Sequence, residues 1–119
     1  MSHSPQDVHK KVLGKKGENF AEKFLKKQKC KILERNYRTP FGEVDLIVSE
    51  KDEIAFVEVK TRQSTSFGAP REAVNEQKQA RYRQMAKFYA VKLGEEPNLR
   101  FDVIEVFDGE KIEWYKHAF

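Results

Sequence analysis

Within GEVDLIVSEKDEIAFVEVKTR, residues 42–62, four charged side chains interrupt two otherwise apolar runs: Glu43, Asp45, Glu58 and Lys60. Charged groups seldom enter such runs without a partner or a task, because burying one unpaired is costly. Side chains alternate faces along a strand, so Ile54, Phe56, Glu58 and Lys60 share one face and Ala55, Val57 and Val59 the other. On the preceding run, Glu43, Asp45 and Ile47 share a face opposite Val44, Leu46 and Val48. The connection through residues 49–53 is short enough to fold the two runs into an antiparallel pair. Asp45 then sits beside Glu58, at the end away from the turn. Carboxylates this close repel, and one pKa rises unless a cation lies between them. Hard oxygen ligands in such an arrangement suit Mg²⁺ or Mn²⁺. Lys60, two residues beyond Glu58 on the same face, could orient or deprotonate an attacking water, or neutralise charge on a scissile phosphate. The plain alternative is a half-exposed Glu-Val-Lys strand with an ordinary salt bridge. E-x-K alone is common; a G-E-x-D strand one hairpin earlier, with basic segments around it, makes the set specific.

The elements that must hold this set follow from periodicity. From Lys10 to Gln28, Leu13, Gly17, Phe20, Ala21, Phe24 and Leu25 fall at helical spacing, which predicts an amphipathic first helix. Its other face carries Lys15, Lys16, Lys23, Lys26 and Lys27, and Glu18 lies just off the apolar stripe. Gly14 and Gly17 each cost roughly 1 kcal/mol inside a helix relative to Ala. They allow close packing on a sheet or close approach of a phosphate backbone, or they mark a later helix start. Cys30 to Arg38 is expected as a first strand, with Val44–Val48 and Ile54–Thr61 as the next two. The polar stretch TRQSTSFGAP leads to Pro70, which opens a second helix running to Leu93. Phe101–Phe107 and Lys111–Tyr115 are a final strand pair around the turn signal Asp108-Gly109. The order is α-β-β-β-α-β-β, one α/β domain over residues 10–119 with a mixed sheet, preceded by a polar N-terminus, residues 1–9, expected to be disordered.

On the second helix Lys78 points into the apolar sector defined by Val74, Met85, Phe88 and Tyr89. Such a lysine either snorkels outward or is aimed at a negative site; the carboxylates on the sheet beneath favour the second. Gln77 and Arg81 flank it as candidate phosphate contacts, as does Arg62 in the loop after the Glu58 strand. Arg71, Arg83 and Lys87 are expected to be solvated, and Tyr82 and Trp114 to be core.

Composition supports a folded single domain: 119 residues, 39% hydrophobic and 12% aromatic. A single cysteine excludes an internal disulfide, and three histidines near the chain ends offer no histidine-built site. No apolar run reaches the roughly 18 residues of a membrane span, so a cytoplasmic protein without membrane partners is expected. Charge is segregated. Residues 1–40 hold 11 Lys/Arg against 4 Asp/Glu, and residues 61–93 hold 7 against 2. Residues 41–60 and 94–119 are acidic. Segregated positive charge with a pI near 9.1 is the footprint of a phosphate-backbone binder, with nucleic acid, DNA first, as the expected partner.

Asp45 followed by Glu58-Val59-Lys60 resembles the PD-(D/E)xK motif of restriction-endonuclease-like nucleases. More closely, GKKGENFAEKFL, Arg35-Asn36-Tyr37-Arg38, FGEVDLI and FVEVKTR resemble the YraN-like family of small, largely uncharacterised bacterial proteins. That family is similar in turn to archaeal Holliday junction resolvases. The resemblance runs from about Gly14 to Trp114. It implies an endonuclease-like core, a mixed sheet flanked by helices, and a Mg²⁺- or Mn²⁺-dependent nuclease acting on DNA phosphodiesters. It places Asp45 and Glu58 on the metal-binding acids, Val59 on a backbone carbonyl ligand and Lys60 on the catalytic lysine. It places Glu18 on a metal-proximal helix acid, and Glu43 is a further candidate ligand. Val44 stands where the motif has proline. Two readings of a different class remain: a nucleic-acid-binding module that keeps the fold without cutting, and a purely structural interaction domain. A homodimer is also left open.

Overall fold

The protein is described here from a computed structural model covering residues 5–62, 74–107 and 111–119, with side chains from Lys15 onward. Helix α1 spans Pro5–Lys27, followed by strands β1 (Lys31–Thr39), β2 (Gly42–Glu50) and β3 (Glu53–Arg62). Helix α2 (Glu76–Leu93) leads to β4 (Asn98–Phe107) and β5 (Lys111–Tyr115). The order is the expected α-β-β-β-α-β-β. All five strands form one mixed sheet in sequence order. Its β1–β2, β2–β3 and β4–β5 pairs are antiparallel and its β3–β4 pair is parallel. The parallel pair demands a crossover, which α2 supplies.

Each face of the sheet is covered by one helix. On the α1 side, Ala21 and Leu25 pack against Leu46, Val48, Ala55 and Val57. On the α2 side, Tyr82, Met85, Ala86 and Tyr89 pack against Val44, Ile47 and Phe56. Both helices end in left-handed caps: Lys29 has φ 66 and Gly94 φ 71, the geometry that satisfies the last carbonyls of a helix.

Three sequence expectations change. Helix α1 begins at Pro5, one turn before Lys10, with proline at a first helical position it tolerates well. The disorder expected over residues 1–9 falls partly on residues 1–4, outside the described residues. Helix α2 begins at Glu76 and not at Pro70, because Asn75 Oδ1 accepts the Lys78 N–H at 2.8 Å and caps it there. Finally, Val44 does not share a face with Leu46 and Val48; it joins Ile47 in the α2-side core. The alternation breaks at Asp45, between the pairs Arg35↔Leu46 and Tyr37↔Val44, where Asn36 adopts φ 46; the register shift of this ladder lies further on, between Ile32 and Glu34. The turn expected at Asp108-Gly109 and residues 63–73, Arg71 among them, lie outside the described residues.

At the other end of the sheet, buried Arg100 bonds Asp102 and Glu53 and lies 2.8 Å from Glu50. Asp102 also accepts from Trp114 Nε1 and the His117 N–H. This network ties the C-terminal segment to the β2–β3 turn. Every charged member has a counter-charge, as burial requires.

Candidate active site

The β2–β3 ladder ends at Leu46↔Val57. The same register extended one residue brings Asp45 opposite Glu58. There the backbone ladder gives way to a side chain: Asp45 Oδ2 accepts the Val59 N–H at 2.8 Å. Asp45 is thereby directed along the sheet, toward β3, rather than straight off one face as simple alternation implied. Gly17 lets α1 reach this point, since a Cβ there would lie 2.2 Å from Thr61 Oγ1.

Glu58 is 5% exposed on the α2 side. Its Oε1 receives Lys78 Nζ at 2.5 Å and lies 3.4 Å from Lys60 Nζ, while Tyr82 OH donates to its Oε2. Lys78 is therefore aimed inward at the carboxylate. Both Lys60 and Lys78 keep about a third of their side chains exposed. Tyr82 is fully buried, and its phenol pKa is driven well above the usual value by burial and then by the Glu58 charge.

The two acids differ sharply in their surroundings. Glu58 has two cations and a phenol. Asp45 has one backbone N–H and two like charges, so its pKa is pushed up to about 8: by burial first, then by Glu58, with Glu18 adding to both and the Val59 N–H opposing. Glu18 is brought in from α1 by Asn36, whose Nδ2 donates to Glu18 Oε2 at 3.1 Å while its Oδ1 accepts from Lys15 Nζ at 3.0 Å. Asn36 is the residue at φ 46, a left-handed conformation that asparagine tolerates better than most.

The structure thus brings together Asp45, Glu58, Val59, Lys60, Lys78 and Glu18. Lys15 is turned to Asn36, and Lys16, Gln77 and Arg81 are exposed nearby on the helices. Arg62 stands at the end of β3, 3.3 Å from Glu105. Glu43 is not brought in: it is exposed and lies 3.7 Å from Arg38. Two participants escape a sequence reading. Tyr82 sits at an apolar-stripe position where a tyrosine looks like core, and Asn36 gives no local signal inside a strand. The charge-in-apolar-run signal that singles out Asp45 and Glu58 applies equally to Asp102 and Glu105 in FDVIEVF, where both are buried.

Among the described residues, no group of three or more His, Cys, Asp and Glu side chains stands close enough to hold a metal ion. The donor chemistry nevertheless fits one: Asp45 and Glu58 are hard oxygen donors, and the charge crowded around Asp45 is compensated by a proton that a divalent cation would replace. Val59 lies beyond the last β2–β3 ladder pair, and its N–H is taken by the Asp45 side chain rather than by the β2 backbone.

The five-stranded mixed sheet between two helices, with paired acids and a lysine where β2 and β3 part, has the architecture of a restriction-endonuclease-like α/β core. The chain belongs to the uncharacterised protein family UPF0102, whose family model matches residues 17–106. It is 45% identical over 107 residues to a UPF0102 protein of Thermodesulfovibrio yellowstonii, covering 90% of this chain and 95% of that one. A UPF0102 protein of Alkaliphilus metalliredigens is 46% identical over 112 residues, covering 92% and 98%. One of Dictyoglomus thermophilum is 40% identical over 111 residues, covering 90% and 94%. No described helix is long and apolar enough to cross a membrane.

Proposed function

We propose that this chain is a metal-dependent nuclease that hydrolyses DNA phosphodiesters, resembling Holliday junction resolvases. The observation that carries the reading is the convergence of Asp45, Glu58, Lys60 and Lys78 at one end of the sheet. Asp45 and Glu58, with the backbone of Val59, would hold Mg²⁺ or Mn²⁺, which when bound supplies Lewis acidity and a water of lowered pKa. Lys60, one-third exposed, stands where it can take a proton from water or face a phosphate oxygen. Lys78 contributes a second positive charge toward the same place, and Tyr82 fixes the Glu58 carboxylate in one orientation. Glu18 adds negative charge beside Asp45. The exposed lysines and arginines of both helices supply sequence-independent attraction to the phosphate backbone.

A second reading is favoured by one detail: both Glu58 oxygens are already engaged, by Lys78 and by Tyr82. On that reading the site is a compensated remnant, and the chain binds nucleic acid without cutting it. Incubating the protein with branched, single-stranded and duplex DNA, in Mn²⁺ and in EDTA, separates the two. Cleavage in Mn²⁺ alone is expected. Lys60→Met is expected to abolish it while changing DNA affinity less than about threefold, under 0.7 kcal/mol. Binding with no cleavage under any condition would leave the binding module. Equal loss of cleavage and binding in Lys60→Met would make Lys60 a phosphate clamp.

A further inference from the structure

The row of charges on β3 does not stop at Lys60. Positions 58, 60 and 62 alternate onto one face, spaced about 6.6 Å apart along the strand. Arg62 Nε lies 3.3 Å from Oε2 of Glu105 on β4, and Glu105 is 2% exposed and is the register partner of Lys60. Two buried acids, Glu58 and Glu105, therefore lie beneath two cations, Lys60 and Arg62, whose side chains are each 33% exposed. Arg62 Nε and Glu105 Oε2 are themselves buried, and among the described residues neither has a hydrogen-bond partner of good geometry.

A buried ion pair of this kind does not explain itself by stability. The hydration lost by the two charges offsets most of their attraction, and apolar replacements are often as stable. Ile104 and Val106, on either side of Glu105, face the α1-side core, so Glu105 is turned to the other face, where Arg62 lies. Glu105 holds the inner edge of a guanidinium whose outer part stays in solvent. Arginine's planar fork matches a phosphate in two hydrogen bonds, and fixing it beforehand lowers the entropy lost on binding.

We propose that Arg62 binds a second DNA phosphate beside the one facing Lys60, and that Glu105 is its positioning residue. The inference rests on the nucleic-acid reading above, though not on cleavage. The test is equilibrium binding of duplex and branched DNA by fluorescence anisotropy in EDTA, across a salt series. Arg62→Ala should weaken binding and lower the salt slope by about 0.9 on duplex. Glu105→Gln removes a negative charge, which by simple electrostatics would tighten binding. Positioning predicts the opposite sign: three- to tenfold weaker binding, and no further loss in an Arg62→Ala background. Tighter or unchanged binding by a folded Glu105→Gln protein overturns the proposal. If Glu105→Gln does not fold, Arg62→Lys decides, since it keeps the charge and Glu105 but loses the fork. A loss matching Arg62→Ala supports positioning, and wild-type affinity overturns it. If the wild type binds no DNA at all, the nucleic-acid reading falls and this inference falls with it. Wild-type binding that is insensitive to Glu105 overturns this inference alone.

Discussion

Asp45→Asn should stabilise the metal-free protein at neutral and alkaline pH. The carboxyl of Asp45 is raised from 3.8 to about 8 in the fold. The folded state therefore holds a proton that the unfolded chain releases, and between about pH 4 and pH 8 stability falls as pH rises. Each pKa unit is worth about 1.4 kcal/mol, so the full displacement corresponds to roughly 5–6 kcal/mol above pH 8. Because Glu58 and Glu18 share the repulsion, the single substitution should recover only part of it, about 2–4 kcal/mol. Asparagine copies the protonated acid: its oxygen can still accept the Val59 N–H, and its amide can donate where the acid proton did.

Urea unfolding at half-unit steps from pH 5 to pH 9 in EDTA measures the effect, with the m-value as a check that both states are comparable. The difference between variant and wild type should widen through pH 6 and 7 and level off above pH 8. A second arm uses Mn²⁺. The wild type should gain about 2.7 kcal/mol at a hundredfold excess over Kd, and the variant little. A pH-independent difference, or a variant several kcal/mol less stable throughout, would refute the account of crowded carboxyls. Asp45 would then be a structural acceptor for Val59 and nothing more.

Two further expectations concern the scaffold. Gly17→Ala should destabilise the fold by about 1–2 kcal/mol in urea melts, although alanine is the better helix former by about 1 kcal/mol. Adding Thr61→Ala should remove that cost, because the atom in the way is Thr61 Oγ1. Tyr82→Phe leaves Glu58 Oε2 buried without its donor and should cost about 1–3 kcal/mol by the same measurement. A neutral Tyr82→Phe would mean that the phenol and Glu58 are not hydrogen-bonded in solution.

Legibility in the sequence tracked the range of the interactions. The short turn at Lys51 and Asp52 was enough to pair β2 with β3 in the register that, extended, sets Asp45 opposite Glu58, because register there is determined within twenty residues. The direction of the Asp45 side chain was not legible, since alternation fails there. Helical phase put Lys78 in the apolar sector and the carboxylates on the sheet favoured an inward aim; the structure gives Glu58 as its partner. The start of α2 was misplaced because proline suits an N-terminus, yet Asn75 offers a better one, a side-chain oxygen that can cap. Tyr82 was hidden because a buried tyrosine's apolar ring and its polar hydroxyl answer to different neighbours. Its hydroxyl partner lies 24 residues upstream. The turn of the chain at Asn36 left no trace in the pattern, since its side-chain partners, Lys15 and Glu18, stand on another element.

Several positions that depart from local rules gather around the Asp45–Glu58 end of the sheet. A glycine sits inside α1, a non-glycine residue takes positive φ within β1, and strand alternation fails at Val44. A tyrosine hydroxyl and a lysine ammonium are directed into the sheet from α2. A glycine inside a helix or a strained backbone costs of order 1 kcal/mol, and Val44, Lys78 and Tyr82 adjoin or bond Asp45 or Glu58 directly. A sequence selected for stability alone would have no reason to gather such costs around one pair of carboxyls, and ordinary substitutions would relieve most of them. Local conflict of this kind, placed where charges converge, is what a functional site leaves in a fold. The Arg100 network shows the contrast. It too is charged and partly buried, but its acids share Arg100, Lys116 and the N–H donors of Trp114 and His117.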